Sequence, residues 1–268
     1  MTDLIAEIGW NHMGDMELAN FMIRAAKNAG AQYAKFQIFS TTNLKEGPWD
    51  DDGRREIYEK AQLSIDQVKG LIKFCDEIGI KFLASVFSVD DAKMLSSLGR
   101  TDVKIPSAEI RNKKLLHFCN DHFDRVFLST GTAIIDEVDQ AYCILRKPDL
   151  ILFHCVAAYP CPMENANLTR IRNLTYTFPV PVGYSDHTEG VDAAKMSLEF
   201  NVGYIEKHFT TDKSLPGRDN KFAITPSELH ELRRYIDART TAMLSQGMDY
   251  QNCESEMREV YSGRWEAK

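Results

Sequence analysis

Short apolar runs alternate with longer stretches of helical period along almost the whole chain, which predicts eight strands each followed by a helix. The predicted strands are Leu4–Ile8, Tyr33–Phe39, Lys81–Phe87, Asp102–Ile105, Arg125–Leu128, Leu150–Cys155, Pro181–Tyr184 and Gly203–Lys207. The helical stretches fall near Leu18–Asn28, Ser64–Ile78, Val89–Leu98, Lys113–Asp121, Ile134–Leu145, Asn167–Tyr176, Val191–Asn201 and Pro226–Leu244. Capping residues agree: Ser64, Ser88 and Thr225 precede helices, Pro226 stands at a first helical position, and Gly30 and Gly79 follow helix ends. Eight such repeats without a Pro/Gly-rich linker suit one closed (β/α)8 TIM barrel, an α/β single domain over residues 1–245, with 246–268 as a tail.

Composition narrows the partners. With 268 residues and 44% hydrophobic content, the chain can bury a full core. A net charge of −7 and the lack of a basic stripe argue against nucleic acid or an anionic membrane, leaving a small molecule or another protein. Six cysteines without CxxC spacing read as reduced thiols of a cytoplasmic protein. No leader and no apolar run of membrane-spanning length is expected.

The strand ends carry the candidate chemistry, because barrel enzymes work at the carboxyl edge of the sheet. They offer Glu7; Lys35 with Gln37; Ser85; Lys104 with Ser107; Ser129 with Thr130; His154; Ser185 with His187; and Glu206 with His208. His187 and His208 stand 21 residues apart (208 − 187), spanning one strand–helix–strand unit, with Gly190 to Asn201 read as a single helix. Such a unit brings both imidazoles to one edge, each beside an acid, Asp186 or Glu206. A lone strand-end histidine is usually a core residue, but a converging pair with open positions is a Lewis-acid site for Mn2+, Fe2+, Co2+ or Zn2+. Lys35 and Lys104 sit inside apolar strand patterns, where an ammonium needs an anion. That anion is either a carboxylate of the protein or a bound phosphate or carboxylate; two such lysines with several hydroxyls around one mouth favour a phosphorylated, carboxylated ligand, and Gln37 and Lys104 favour anion binding over a Schiff base at Lys35. Glu7 is either a lysine's partner or a proton shuttle, and His12 either scaffold or substrate contact. Asp219 lies in a turn, Pro216-Gly217-Arg218-Asp219-Asn220.

Taken together, Ala6-Glu7-Ile8-Gly9 with Asn11-His12, Lys35-Phe36-Gln37, Lys104-Ile105-Pro106-Ser107, Leu128-Ser129-Thr130-Gly131, His154-Cys155 with Tyr159-Pro160, Gly183-Tyr184-Ser185-Asp186-His187-Thr188 and Glu206-Lys207-His208-Phe209-Thr210 resemble the sialic acid synthase family. The resemblance runs in order from about Leu4 to about Leu232. It implies a barrel that condenses phosphoenolpyruvate with an N-acylmannosamine-type aldose to a sialic-acid-like 2-keto sugar acid and phosphate. It also implies a divalent metal, usually Mn2+ with Mg2+ or Co2+ as substitutes, on His187 and His208. By motif position, Lys35, Gln37, Ser85, Lys104, Ser107, Ser129 and Ser185 fall where the family holds phosphoenolpyruvate. Tyr159 falls beside the sugar, and Glu7, Glu206 and Asp219 handle sugar and protons.

Three departures are visible. Ala84-Ser85-Val86-Phe87 replaces the usual Ser-Thr-Pro-Phe, Gly217-Arg218-Asp219-Asn220 replaces Gly-Pro-Asp-His, and residues 254–259 resemble the linker to an antifreeze-like domain that is expected to be missing. Two alternatives follow: a phosphorylated aldose acceptor met by Arg218, as in octulosonate phosphate synthases, or a catalytically silent barrel that binds a sugar acid. Tyr250, Tyr261 and Trp265 make the tail a candidate homodimer contact.

Overall fold

A computed structural model describes residues 2–265. Eight parallel strands close a barrel in sequence order: β1 (Asp3–Gly9), β2 (Tyr33–Ile38), β3 (Lys81–Val86), β4 (Asp102–Ile105), β5 (Arg125–Ser129), β6 (Asp149–Cys155), β7 (Val182–Asp186) and β8 (Tyr204–His208). The helices are α1 (Met16–Asn28), α2 (Arg54–Ala61), α3 (Ile65–Ile78), α4 (Val89–Ser97), α5 (Lys113–His122), α6 (Ile135–Ile144), α7 (Thr169–Thr177), α8 (Asp192–Ser197) and α9 (Pro226–Ala242). The expected barrel is therefore the observed one. Contact density divides the chain into two compact units, Met1–Ile236, which holds the barrel, and Asp237–Lys268, which carries a short π turn at Met257–Tyr261.

Two local expectations fail, each for a physical reason. The helix after β7 does not run unbroken from Gly190, because that glycine is left-handed at φ +67°. It starts at Asp192, tightens into a 3-10 turn at Leu198–Phe200, and stops at a left-handed Asn201. Helix α2, in the β2–α3 connection, lacks a predicted counterpart; at eight residues, with Ile57, Tyr58 and Ala61 its only apolar positions, it is too short for a helical period to stand out. Elsewhere the caps act as read: the Ser64 hydroxyl accepts from Gln67 N, while the Gln67 side chain accepts from Ser64 N.

Side-chain alternation on each strand separates two cores. Outward residues such as Ala6, Ile8, Phe36, Ala84, Val103 and Leu128 pack into one large cluster with the helices. Inward residues divide by height. In the lower half Ile5, Tyr33, Leu83, Phe127, Ile151 and Phe153 form an apolar plug with Tyr204 against it. Gly183 belongs to this level because a Cβ there would stand 2.8 Å from the Phe153 ring. Two residues further along seven of these strands the inward positions become Glu7, Lys35, Ser85, Ser129, Cys155, Ser185 and Glu206, joined on β4 by Lys104. The plug is the floor of a buried polar chamber.

Candidate active site

The chamber is built around an alternating chain of four buried charges. Lys35 Nζ lies 2.8 Å from Glu7 Oε2 and 3.6 Å from Glu206 Oε1, and Lys104 Nζ lies 3.2 Å from Glu206 Oε2. Hydroxyl and amide groups complete it: Lys35 donates to Ser85 Oγ at 2.9 Å, Ser185 donates to Glu206 Oε1 at 3.0 Å, and Gln37 Nε2 donates to Glu7 Oε1 at 2.7 Å. Register explains the meeting, since Glu7 lies opposite Lys35, Ser85 opposite Lys104, and Ser185 opposite Glu206. Lys104 also rests on the plug, its ammonium 3.6 Å from the Phe153 ring centroid, a cation–π contact. Of the two anions open on sequence grounds, the protein supplies the carboxylate kind for both lysines.

The two acids differ in proton affinity. Burial raises the Glu206 carboxyl, but the Lys104 and Lys35 charges outweigh it and hold the group at about 2. Burial dominates at Glu7 and raises it, with Lys35 only partly offsetting. Glu206 is therefore a fixed negative charge, and Glu7 is the member of the pair that binds a proton more readily. Lys35 is held charged: burial opposes its charge, but Glu206 and Glu7 raise it; burial lowers Lys104, with Glu206 opposing.

Above this chain stand His187 and His208, their ring centroids 5.5 Å apart. His187 Nδ1 is 2.8 Å from the Val156 carbonyl, so Nδ1 carries the proton and Nε2 presents a lone pair. Burial keeps both imidazoles neutral, His187 at about 4 and His208 well below its ordinary value. His208 Nδ1 is buried without a hydrogen bond, 3.5 Å from Asp219 Oδ2. Asp219 is pushed up to about 7 by burial, which the nearby Trp10 indole partly counters. The Tyr159 ring lies tilted against His187, centroids 4.3 Å apart, and Phe222 lies 5.1 Å from His208. Among the described residues no cluster of three histidine, cysteine or acidic side chains is shaped to hold a metal. What the site offers is two neutral imidazoles, one with an orphaned nitrogen, a donor set that fits a divalent ion completed by substrate and water.

Ser107 and Ser129 stand on the opposite wall. Ser107 Oγ accepts from Gly131 N at 3.0 Å and lies 3.1 Å from Cys155 Sγ; a Cβ on Gly131 would come within 2.7 Å of that hydroxyl. All thirteen candidate residues thus line one end of the barrel. Two other strand-end or loop residues do not join them. His154 points outward between Phe153 and Cys155, bonds the Ala166 carbonyl at 2.8 Å and stacks on Tyr184. His12 is fully buried; its Nδ1 accepts from Gly14 N at 3.0 Å within its own loop, and its Nε2 is buried without a hydrogen bond. Sequence reasoning missed Cys155, Phe153, Trp10 and Phe222. Parity along β6 would have found the first two, two residues apart and both inward. A cavity of about 540 Å³ lined by Lys27, Lys81 and Arg100 contains none of the candidates.

Comparison with known proteins agrees with this geometry. The model of a family described as the NeuB family matches residues 22–248. The chain is 34% identical over 258 residues to N,N'-diacetyllegionaminic acid synthase of Campylobacter jejuni, covering 90% of this chain and 77% of that one. It is 33% identical over 264 residues to mouse N-acetylneuraminate-9-phosphate synthase, covering 94% and 74%. The solved N-acetylneuraminic acid synthetase of Leptospira borgpetersenii, in complex with citrate, superposes with a TM-score of 0.87 at 30% identity, covering 97% of this chain and 93% of that one.

Proposed function

This chain belongs to the NeuB family, and on that premise we propose that it condenses phosphoenolpyruvate with an N-acylmannosamine-type aldose. The products are a sialic-acid-like 2-keto sugar acid and phosphate. It is a carbon–carbon-bond-forming synthase of the sialic acid synthase type. The observation that carries the reading is the pair of buried lysines beside two neutral imidazoles at the catalytic end of the barrel.

Phosphoenolpyruvate brings a carboxylate and a phosphate into a chamber whose four charges already cancel. Lys35 and Lys104 turn to these anions, helped by the Ser85, Ser107, Ser129 and Ser185 hydroxyls and the Gln37 amide. Glu7, raised by burial, then takes up a proton as its lysine partner is shared, whereas Glu206 stays ionised and keeps both ammonium groups in place. His187 and His208 would hold the divalent ion, Mn2+ foremost, which when bound supplies Lewis-acid polarisation of an aldehyde oxygen. Tyr159 and Phe222 form an aromatic wall beside the imidazoles against which the sugar packs. The new bond joins the enol carbon to the aldehyde carbon, and the aldehyde oxygen gains a proton. Water adds at the carbon bearing phosphate and releases one proton; phosphate leaves with the other. Asp219, at about 7, is placed to give and take these protons, and Glu7, raised by burial, is the second carboxyl beside them.

The test is acceptor-dependent phosphate release. Phosphoenolpyruvate is supplied with N-acetylmannosamine, its 6-phosphate and a diacetamido hexose in parallel, and 2-keto acid is measured alongside. Equal release of both products with at least one acylated aldose is expected. Release without acceptor, or none with any acceptor while the protein still binds sugar acids, overturns the reading. The phosphorylated arm also decides whether the exposed Arg218, 3.9 Å from Asp52, meets an acceptor phosphate. A cytoplasmic location belongs to the same proposal, supported by six free cysteines. So does a homodimer joined through the exposed Tyr250, Tyr261 and Trp265, which sedimentation would detect.

A further inference from the structure

Asp186 and Lys207 take no part in the chamber, yet both are buried, at 1% and 2% exposure. Their strand neighbours Ser185 and Glu206 point inward, so these two side chains lie on the outer side of the barrel wall. Lys207 Nζ donates to Asp186 Oδ2 at 3.0 Å and to the Thr188 carbonyl at 2.6 Å. Asp186 Oδ1 in turn accepts from the Tyr184 hydroxyl at 3.0 Å and from Thr188 N at 2.9 Å. One ammonium thus grips the residues on both sides of His187, and it belongs to the residue that immediately precedes His208.

The location matters because Asp186 opposite Lys207 is the last rung of pairing between β7 and β8. Beyond it the backbone ladder no longer relates the two imidazoles. The Val156 carbonyl fixes the rotation of the His187 ring, and Cys161 N holds the His187 carbonyl at 2.8 Å, but both come from the β6 side and leave the distance to His208 unset. A buried ion pair is a poor source of net stability, since two apolar side chains of similar volume often do as well; its best-attested use is to specify geometry. Groups that orient metal ligands from behind typically govern 10- to 100-fold in metal affinity.

We propose that the Asp186–Lys207 ion pair is a positioning device that sets the separation of His187 and His208, and through it the affinity of the site for a divalent cation. The inference rests on the reading of these histidines as metal ligands. Lys207 and Asp186 are positioning residues, since neither reaches the chamber.

The decisive variant is the double substitution Asp186→Asn with Lys207→Met. It leaves an amide oxygen for Tyr184 and Thr188 and removes the ammonium together with the charge it neutralises. Mn2+ binding is measured on the full chain by titration calorimetry and by electron paramagnetic resonance of the free ion, and thermal stability by calorimetry. The double variant keeps a melting temperature close to that of the wild type but loses about 10- to 100-fold in Mn2+ affinity. Asp149→Asn, which removes an exposed ion-pair partner of Arg125 at the opposite end of the barrel, serves as control for the loss of a charge far from the histidines and leaves affinity unchanged. Double-variant affinity within about twofold of wild type overturns the inference. Should the double variant not fold, Tyr184→Phe decides, because it loosens Asp186 by one hydrogen bond: about a threefold loss of affinity supports the device, and none overturns it. Wild-type protein that binds no Mn2+ overturns the metal reading itself, an outcome distinct from tight binding that the variants leave unchanged.

Discussion

Glu206→Gln is the most informative single change in this molecule, because it removes one charge from a buried chain of four while preserving shape. The native carboxylate faces Lys35 at 3.6 Å and Lys104 at 3.2 Å and accepts from Ser185. Held at about 2 instead of 4.5, it contributes roughly 3 kcal/mol at neutral pH, at about 1.4 kcal/mol for each tenfold change in proton affinity. Breaking a buried pair by removing one partner costs about 3–5 kcal/mol in other proteins, so the two routes to the magnitude agree. Because the folded value lies below the unfolded one, this contribution is complete above pH 4.5 and is lost as the pH falls toward 2. Urea unfolding of wild type and variant, followed by tryptophan fluorescence at pH 7 and in steps down to pH 3, measures the difference. A deficit of about 3–5 kcal/mol at pH 7 that shrinks below pH 4.5 is expected. A variant within about 1 kcal/mol of wild type at pH 7, or a deficit that persists unchanged into acid, refutes the picture of Glu206 as the anchor of both lysines.

Lys35→Met removes a charge-assisted contact to the incoming anion and should raise the KM for phosphoenolpyruvate by roughly 10- to 100-fold; steady-state kinetics giving a KM within twofold of wild type would count against anion holding by Lys35. Chelation should abolish turnover and Mn2+ restore it, and His208→Ala should prevent the rescue; equal rates for apo and metal-restored protein would remove the metal from the proposal. Gly183→Ala places a methyl group 2.8 Å from the Phe153 ring, so calorimetry should register a loss of about 1–3 kcal/mol from overpacking. Lys104 rests on that same ring, so its contact with Glu206 should loosen as well. Unchanged melting would mean that the plug yields more easily than its packing implies.

Much of this was legible in the chain. Periodicity is a local property, set by which face of each short segment must be buried, and it announced eight βα repeats and hence a barrel. Strand-end positions were equally local, so Glu7, Lys35, Gln37, Ser85, Lys104 and the two histidines could be nominated from sequence. The segment 54–61 escaped because eight residues are too few for a helical period to register. His154 stands at a strand end without joining the site, because alternation along β6 turns Phe153 and Cys155 inward and His154 outward.

Partnership was the part decided by tertiary structure alone. Lys104 and Glu206 are 102 residues apart and meet only because β4 and β8 face each other across the closed barrel. No local pattern distinguishes Lys104, which lies inside the chamber beside a fixed carboxylate, from Lys207, which lies behind the wall and grips Asp186. The sequence determined which groups stand at the catalytic edge, because that depends on strand length and alternation. The register and closure of the barrel determined which acid is ionised, which can carry a proton, and which lysine is left to hold the histidines apart. Those properties are sums of burial and charge over neighbours distant in sequence.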